Sequence, residues 1–453
     1  MLAATAASAQ EVLFSGNMMD AYDAPVAANT GLNHLYVLNS AEGVAMSYIA
    51  ADPNETVTWY RFDARGGAYA EEVTGVEQVE PGVTMLNPIK ADCGYYVEEG
   101  TNRYYLWIAD YSKCVMSLNA LTFGEMGDCG TATLQLDGTG EDIVYYTING
   151  VRRVLDRGLK LTYHSLEWNE EEERWADTEV TETIDNFKNT IVVPAPLCNT
   201  TFTLAGDDLL TFWNLPQQRA ESDVYQTIAV DIKTFAIQEE RNNDNEQKRP
   251  DGSSTLGGSA PVTITFKAYC TDAVVYKEWQ MSTDSEFQNL ELRLNTNEVE
   301  QTFDESGIYY WRFLAGNADG TCDAVSETYT VEIGESDLVC PNIFTPGTSE
   351  GANDVWKVSY KSIVEFHCSI FSRYGVKVAE FNDPNGGWDG RYGGKLVKAG
   401  VYFYVIQARG ADGKNYKLSG DINIIRFKKN LAGGSGGSGE DPNPADPVDP
   451  TAE

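Results

Sequence analysis

The chain has 453 residues, enough for about three domains of ordinary size. It contains 33 Lys and Arg residues against 68 Asp and Glu residues, and the resulting net charge of −35 argues against binding to nucleic acid or to anionic lipid. The chain has only 3 His, the side chain that metalloenzymes and acid–base enzymes use most often, which argues against both classes. The 11% aromatic content and the 41 Gly are typical of short strands joined by tight turns.

The amino terminus predicts export. Met1–Ala9 ends in Ala-Ser-Ala before Gln10, a pattern typical of the remnant of a secretory signal peptide, although an unstructured alanine-rich end is the alternative. No later segment approaches 18 uncharged apolar residues, so we expect no transmembrane helix. The 8 Cys form an even number without CxxC spacing, which favours the disulfides of an exported protein over zinc ligands.

Strand signals dominate and predict an all-β chain of tandem Ig-like β-sandwiches ending in a smaller β-sandwich. Asn149-Gly150 predicts a hairpin with a type I′ turn. The charged run Asn169–Trp175 is the best helix candidate, but a solvated loop is favoured. Segments rich in β-branched and aromatic residues lie at Thr58–Phe62, Tyr104–Ile108, Ile143–Ile148, Val262–Cys270 and Val401–Ile406.

Changes in composition predict the domain boundaries. A polar, Gly- and Asn-rich stretch reads as a linker, and the last residues combine Gly-Gly-Ser repeats with Pro and Asp. The predicted order is a signal-peptide remnant at 1–9, an Ig-like β domain at 10–120, a β domain at 121–240, a linker at 241–258, an Ig-like or PKD-like domain at 259–335, a carboxyl-terminal domain at 336–428 and a disordered acidic tail at 429–453.

The third of these folded stretches, residues 259–335, carries the pattern of a sandwich. Val262–Cys270 alternates so that every second residue faces one side, and Trp279 follows on the next strand. Asp304–Trp311 has the spacing of a tyrosine corner, with Tyr309 as the corner residue. Residues 259–335 therefore resemble an immunoglobulin-like, fibronectin-like or PKD-like domain.

Disulfide candidates follow from this resemblance and from elimination. In such a sandwich the loops that carry Cys270 and Cys322 lie at the same end, which implies a Cys270–Cys322 disulfide, with two free thiols as the alternative. Elimination then pairs Cys93 with Cys114 and Cys129 with Cys198, although eight cysteines allow 105 connectivities. The remaining candidates are Cys340 and Cys368.

Six ordered motifs occupy the carboxyl-terminal region: CPNIFTP, NDVW, IFSRYG, GWDGRY, GVYFYVI and GDINIIR, all within 340–426. Together they closely resemble the gliding-motility-associated C-terminal domain, the type B sorting domain of type IX secretion. The resemblance covers residues 339–428. The motif residues taken as the sorting-domain site are Pro341, Asn342, Phe344, Thr345, Pro346, Asn353, Asp354, Arg373, Gly375, Trp388, Asp389, Gly390, Gly400, Tyr402, Tyr404, Gly420 and Ile424.

This resemblance implies passage through the Sec system and then across the outer membrane by the type IX machinery. It also implies a small outer-membrane barrel protein as an anchoring partner at the cell surface. Residue by residue, the motifs read as the core and turns of a small sandwich: Trp388 closes an edge, and Gly400 opens a buried strand. The function would then belong to the surface of the whole domain.

Other chemistry is weakly indicated. His34, His164 and His367 fall in three different predicted domains, and no nucleophile motif accompanies them. The acidic runs Asp207-Asp208 and Glu170–Glu173 could serve glycoside hydrolysis, but acidic pairs arise by chance in so acidic a chain. We expect no catalytic residue, metal or cofactor. The favoured function is a secreted, multidomain cell-surface protein whose Ig-like modules serve as binding, adhesion or structural (stalk) units, with a glycan or a protein as the possible ligand. The alternatives are a carbohydrate-active enzyme within 10–240 and a structural subunit of a filament or secretion apparatus.

Overall fold

Strands dominate the computed structural model, which describes residues 11–16, 18–124, 128–247, 256–347 and 353–425. The chain forms two compact units, residues 1–229 and 230–453, and almost every described element is a strand, which confirms the all-β prediction. None of the described helices is long and apolar enough to cross a membrane. The predicted signal remnant at 1–9, the tail at 429–453 and part of the predicted linker, 248–255, lie outside the described residues.

The first unit contains strands over most of its length, together with the short helix α1 at Asp208–Phe212 and 3₁₀ turns at Ala28–Thr30, Gly67–Tyr69 and Tyr111–Lys113. Its strands are β1 Glu11–Ser15, β2 Tyr22–Ala24, β3 His34–Leu38, β4 Ala45–Ile49, β5 Val57–Phe62, β6 Glu71–Glu72, β7 Val76–Glu80, β8 Val83–Leu86, β9 Cys93–Glu99, β10 Asn102–Asp110, β11 Ser117–Phe123, β12 Thr131–Thr139, β13 Val144–Tyr146, β14 Arg152–Val154, β15 Leu159–Asn169, β16 Arg174–Ile184, β17 Thr190–Pro194, β18 Thr203–Gly206 and β19 Gln218–Glu221.

Two sandwiches build this unit. The sheets β1-β4-β8-β7 and β2-β3-β10-β9-β5-β6 enclose one core, in which Trp59 is 1% exposed and its indole N–H donates to Thr84 Oγ1 at 2.9 Å. The sheets β11-β12-β17 and β16-β15-β18-β19 enclose a second core around Phe202. Asn169–Trp175 is the tip of the hairpin between β15 and β16, as the loop interpretation predicts.

Of the acidic pair at 207–208, Asp207 has a structural role, whereas the Asp208 side chain is exposed. The Asp207 carboxylate is fully buried, accepts hydrogen bonds from Arg157 Nε at 2.9 Å and Nη2 at 2.5 Å, and caps α1 through the amide of Leu210 at 3.0 Å. Arg157 is itself 1% exposed. A carboxylate held in this way does not reach a solvent-borne substrate. The capped helix was missed in the sequence because five residues give no helical period.

The second unit continues the all-β organisation. Its strands are β20 Ile232–Gln238, β21 Leu256–Gly258, β22 Val262–Cys270, β23 Tyr276–Ser282, β24 Leu290–Leu294, β25 Glu298–Phe303, β26 Gly307–Gly316, β27 Asp323–Val325, β28 Tyr329–Ile333, β29 Asp337–Val339, β30 Ile343–Phe344, β31 Ser359–Lys361, β32 Ile363–Ser372, β33 Lys377–Phe381, β34 Arg391–Tyr392, β35 Lys395–Leu396, β36 Gly400–Gly410 and β37 Asn415–Ile424.

The Ig-like sandwich of this unit packs β20-β22-β25 against the sheet β21-β28-β26-β23-β24. Trp279 and Trp311 are both fully buried, and Trp311 stacks on Phe266 with ring centroids 4.4 Å apart. The predicted tyrosine corner is present, since the Tyr309 hydroxyl donates to the carbonyl of Glu305 at 3.1 Å. Strand β20 pairs with β22, whereas the sequence places residues 232–238 in the preceding domain.

The hairpin predicted at Asn149-Gly150 forms, but its turn type is wrong. The amide of Gly150 donates to Thr147 at 2.9 Å and the amide of Thr147 donates to Val151 at 3.0 Å, which defines a three-residue loop. Only Gly150 has a positive φ, 76°, so the loop is a turn followed by a glycine bulge and not a type I′ turn, which would need positive φ at two residues.

Candidate functional site

The carboxyl-terminal sandwich, built on the sheet β30-β37-β36-β32-β33, contains the motif residues. Phe344, Trp388, Tyr402 and Ile424 are at most 5% exposed and form one core. The ring of Trp388 lies between Phe344 and Tyr402, with centroid distances of 5.5 and 5.1 Å. These motif positions are therefore core residues: they exclude water and set the shape of the domain.

The first motif fastens the start of the domain to its last strand. Strand β30 runs parallel to β37, and the carbonyl of Asn342 accepts from the amide of Asn423 at 2.9 Å and from its side chain at 3.1 Å. The carbonyl of Pro341 accepts from the indole of the buried Trp356 at 2.7 Å. The first and the last strand of the domain are therefore joined by hydrogen bonds between Asn342 and Asn423.

The second motif closes the loop that follows. The amide of Thr345 donates to the carbonyl of Asn353 at 2.8 Å, and the amide of Gly347 donates to Asp354 Oδ1 at 3.0 Å. Pro346 is buried. The backbone carbonyl of Asn353 thus accepts from the first motif, and the side chain of Asp354 caps the residue that follows it, an ordinary role for a short polar side chain.

Trp388, Asp389 and Gly390 form a tight turn against this loop. The backbones of Trp388 and Trp356 exchange two hydrogen bonds at 2.8 and 2.9 Å, and Asp389 Oδ1 accepts from the amide of Arg391 at 3.0 Å. Gly390 has a φ of +75°, and a Cβ there would lie 2.7 Å from a ring carbon of Pro346. Glycine is required both for the backbone angle and for the close approach.

Tyr404 and Gly420 face each other across β36 and β37. Tyr404 lies 5.3 Å from Trp356, ring centroid to ring centroid, and a Cβ on Gly420 would lie 2.6 Å from the Tyr404 hydroxyl. Burial, and then the neighbouring Cys340, raise the pKa of Tyr404 to about 12. The phenol is therefore neutral at ordinary pH and fills the space that the glycine leaves.

The remaining motif residues lie at one end of the domain. Arg373 sits over the ring of the exposed Tyr374 at 4.6 Å, and Gly375 has a φ of +82° in the turn from β32 to β33. Arg373 and Gly400 line a cavity of about 160 Å³ together with Ser372, Tyr374, Lys398, Ala399, Val401 and Tyr402. This lining contains two cationic side chains and no acidic one.

One surface was missed by the sequence analysis. Gly400 was expected to open a buried strand, but Val401, Phe403 and Val405 point outward from β36 and are 42–44% exposed. The inward positions of the same strand hold Tyr402, Tyr404 and Ile406, so both phases of the alternation are apolar. That double apolar pattern indicates a strand covered on both sides, and only the fold reveals that one side is open.

None of the three predicted disulfide pairs forms. Cys270 and Cys198 are not disulfide-bonded, which excludes the pairs Cys270–Cys322 and Cys129–Cys198. Elimination could not choose among so many connectivities. The other thiols are Cys93, Cys114, Cys340 and Cys368.

The predicted pair Cys93–Cys114 fails because each thiol has a separate partner. Cys93 Sγ donates to the carbonyl of Lys90 at 3.2 Å, and Cys114 Sγ donates to that of Asp142 at 3.7 Å. Burial raises the pKa of Cys93 to about 11. Such a thiol is a core residue and not a reactive nucleophile.

The histidines stand apart from one another, each beside polar side chains, and His367 Nε2 also lies 3.4 Å from Glu380 Oε1. His34 Nδ1 lies 2.7 Å from Asp23, His164 Nδ1 lies 2.9 Å from Asp177, and His367 Nδ1 lies 2.6 Å from the amide oxygen of Asn382. Within the described ranges, no group of three or more His, Cys, Asp or Glu side chains is placed to hold a metal ion.

Comparison with known families assigns two regions. Residues 122–222 match the model of the fibronectin type III domain, and residues 338–424 match the model of the CHU_C type IX secretion signal domain. The fibronectin match falls on the second sandwich of the first unit, where the sequence alone gave strands without a register. No curated relative matches the chain.

Solved structures resemble the chain only distantly. A tetra-tandem repeat from the extending region of a large adhesion protein is 12% identical, with 92% of this chain and 100% of that chain covered and a TM-score of 0.22. A Ca²⁺-stabilised adhesin with which an Antarctic bacterium binds ice is 12% identical, with 86% of this chain and 95% of that chain covered and a TM-score of 0.19. Latent PorU of Porphyromonas gingivalis is 10% identical, with 73% of this chain and 36% of that chain covered and a TM-score of 0.16. Scores this low carry no argument about function.

The sorting assignment depends instead on the family match and on the geometry of the motifs. The matched residues, 338–424, coincide with the sandwich in which all six motifs meet. A domain of this family is the address that the type IX machinery reads. The chain therefore carries a carboxyl-terminal type IX sorting domain, and it is a protein exported to the cell surface or secreted.

Proposed function

We propose that this chain is a cell-surface binding or adhesion protein, delivered and docked through the outward sheet face of its sorting domain. The observation that carries the proposal is the exposed apolar row Val401, Phe403 and Val405 on β36. An outward sheet face normally holds polar side chains, and a contiguous apolar patch on it is typical of a protein contact surface.

The register extends this row into a patch. Phe371 on β32 lies directly opposite Phe403, and Ile343 on the edge strand β30 pairs with Asn423, which in turn pairs with Val401. Ile343 is 44% exposed. The apolar patch therefore spans β36 and β32. On the neighbouring β37, Asn423, Asp421 and Ser419 lie opposite Val401, Phe403 and Val405 and separate the patch from Ile343.

Charge supports an acidic partner. Residues 338–424 contain 10 Lys and Arg against 8 Asp and Glu, whereas residues 1–337 contain 20 against 55. At the end of the apolar row, the cavity lined by Arg373 and Lys398 offers two cations to a carboxylate. A protein surface with apolar side chains beside acidic ones complements this face.

The upstream sandwiches would carry the binding function. They are strongly acidic, so we expect a neutral or cationic ligand, a glycan or a protein, and neither nucleic acid nor an anionic membrane. We propose binding rather than catalysis, because the Asp207 carboxylate is held in a buried ion pair with Arg157. We also propose a small outer-membrane barrel protein as the anchor, as the family resemblance implies.

The test is the double substitution Phe403→Ser and Val405→Ser in the full chain. Both side chains face outward, so the domain should fold with an unchanged urea midpoint while the amount at the cell surface falls severalfold. Gln407→Ser, at the next outward position of the same strand, is the matched control and should leave both unchanged. Full surface delivery of the double variant would overturn the proposed docking face.

A further inference from the structure

The polar segment expected to be a linker contacts the sorting domain through a β-bridge. Residues 241–247, here named the strap, lie against β31. The amide of Tyr360 donates to the carbonyl of Asn245 at 3.1 Å, and the amide of Gln247 donates to the carbonyl of Tyr360 at 2.7 Å. Because β31 pairs with β29 on its other side, the strap covers the outer edge of this two-stranded sheet.

Side chains of the strap make the pairing specific. The Asn245 amide donates to the carbonyls of Val358 and Pro384, both at 2.7 Å. The Gln247 amide donates to Asp337 Oδ2 at 3.0 Å. These bonds tie the strap to three separate segments of the sorting domain, which an unspecific polar linker would not do.

A buried carboxylate holds the strap in shape. The Glu246 side chain is 4% exposed; it accepts from Arg241 at 2.7 Å and from the Asn243 amide at 2.8 Å. Arg241 also donates to the carbonyl of Ser259 at 2.5 Å, at the start of the Ig-like sandwich. The strap is therefore fastened to the sandwich as well as to the sorting domain.

A second contact joins the same two parts. The amide of Ser362 donates to Ser259 Oγ at 2.8 Å, and the amide of Ala260 donates to Ser362 Oγ at 3.2 Å. Ala411, from the turn between β36 and β37, is 6% exposed in the core of the Ig-like sandwich, and its carbonyl accepts from Ser306 at 3.0 Å. The Ig-like sandwich thus contacts the sorting domain directly, at Ser362 and at Ala411.

We infer that the folded sorting signal of this chain is discontinuous: it consists of residues 338–424 together with the strap at 241–247, which the intervening Ig-like sandwich holds in place. An uncovered β31 would present an open strand edge, which is free to pair with other chains. The strap closes that edge, so the surface that the machinery meets includes residues far outside the matched domain. This inference rests on the proposed function, and it adds to it a required upstream element.

The test compares Asn245→Ala with Asp244→Ala in the full chain. Asn245→Ala removes two hydrogen bonds, whereas Asp244 is exposed on the same strap and serves as the matched control. Exchange of the Tyr360 amide, measured by hydrogen–deuterium exchange, should rise about tenfold in Asn245→Ala, since each of the two lost bonds contributes a factor of roughly two to ten. Asp244→Ala should leave that exchange unchanged.

Export is measured on the same variants. We expect severalfold less Asn245→Ala at the cell surface, an intermediate loss for Gln247→Ala, and normal delivery of Asp244→Ala. Normal delivery of Asn245→Ala with its Tyr360 amide freed would overturn the inference, and so would an unchanged exchange rate. If Phe403→Ser with Val405→Ser still blocks export in either case, the proposed docking face stands and only the strap is refuted.

Discussion

Replacing Trp388 with Ala probes the core of the sorting domain directly. The side chain is 2% exposed and contacts Phe344 and Tyr402, and its indole N–H donates to the carbonyl of Arg391 at 3.0 Å. The substitution removes the largest ring of that contact and leaves a cavity between the first motif and β36. It also leaves the Arg391 carbonyl without this donor.

The expected loss follows from the burial. Truncation of a buried Trp to Ala costs about 3–5 kcal/mol of unfolding free energy. A domain of the size matched here has roughly 4–13 kcal/mol in total, at the usual stability per residue. The substitution should therefore consume a large share of the stability of the sorting domain, whereas the sandwiches of the first unit have their own cores and should stay folded.

The assay combines urea unfolding of the full chain with surface detection on intact cells. We expect an early unfolding transition in Trp388→Ala and retention in the periplasm of a protein whose first unit still resists protease. Gln407→Ala is the control, because that side chain is exposed in the same domain and lies outside its core. Normal surface delivery of Trp388→Ala, with its sorting domain demonstrably unfolded, would refute the reasoning.

Three further predictions test the packing. Gly420→Ala should destabilise the sorting domain by about 1–3 kcal/mol in urea unfolding, because the new Cβ meets the Tyr404 hydroxyl, and a Tyr404→Leu background should relieve most of that loss. Arg157→Met should lower the unfolding free energy of the first unit by about 3–5 kcal/mol, because the Asp207 carboxylate stays buried after its cation is removed. Export should be unimpaired. A loss smaller than about 1 kcal/mol would contradict the buried ion pair. Burial raises the pKa of Cys368 to about 12, so iodoacetamide should label this thiol at pH 8 only after unfolding. The stability that the neutral thiol contributes is complete below the ordinary thiol pKa and should be lost as the pH rises towards 12. Labelling of the native protein would show that the thiol is exposed.

Local patterns predicted much of this fold because their causes are local. The alternation in Val262–Cys270 places one face inward in any sandwich, and the spacing before Tyr309 predicts the corner that its hydroxyl makes with Glu305. The motifs of the sorting domain were likewise recognisable from order and spacing. Their roles as core and turn residues at Trp388 and Gly390 follow from residue type alone.

What the sequence could not predict depends on contacts between distant segments. The strap has a composition typical of a loop, and its β-bridge to Tyr360 depends on a residue more than a hundred positions later. The apolar outward row at Phe403 looked like a buried strand because covering elements are not visible in a pattern. The disulfide pairings failed for the same reason, since distances between cysteines are set by the fold.

Surface delivery of the chain with and without its sorting domain tests the central claim most directly. The full chain and a chain ending at residue 335 would be expressed in a type IX-competent host, and each would be quantified by protease accessibility on intact cells and in the periplasmic fraction. The sorting assignment predicts that the full chain reaches the surface and that the shortened chain accumulates, folded, in the periplasm. Equal surface amounts of the two chains would contradict it.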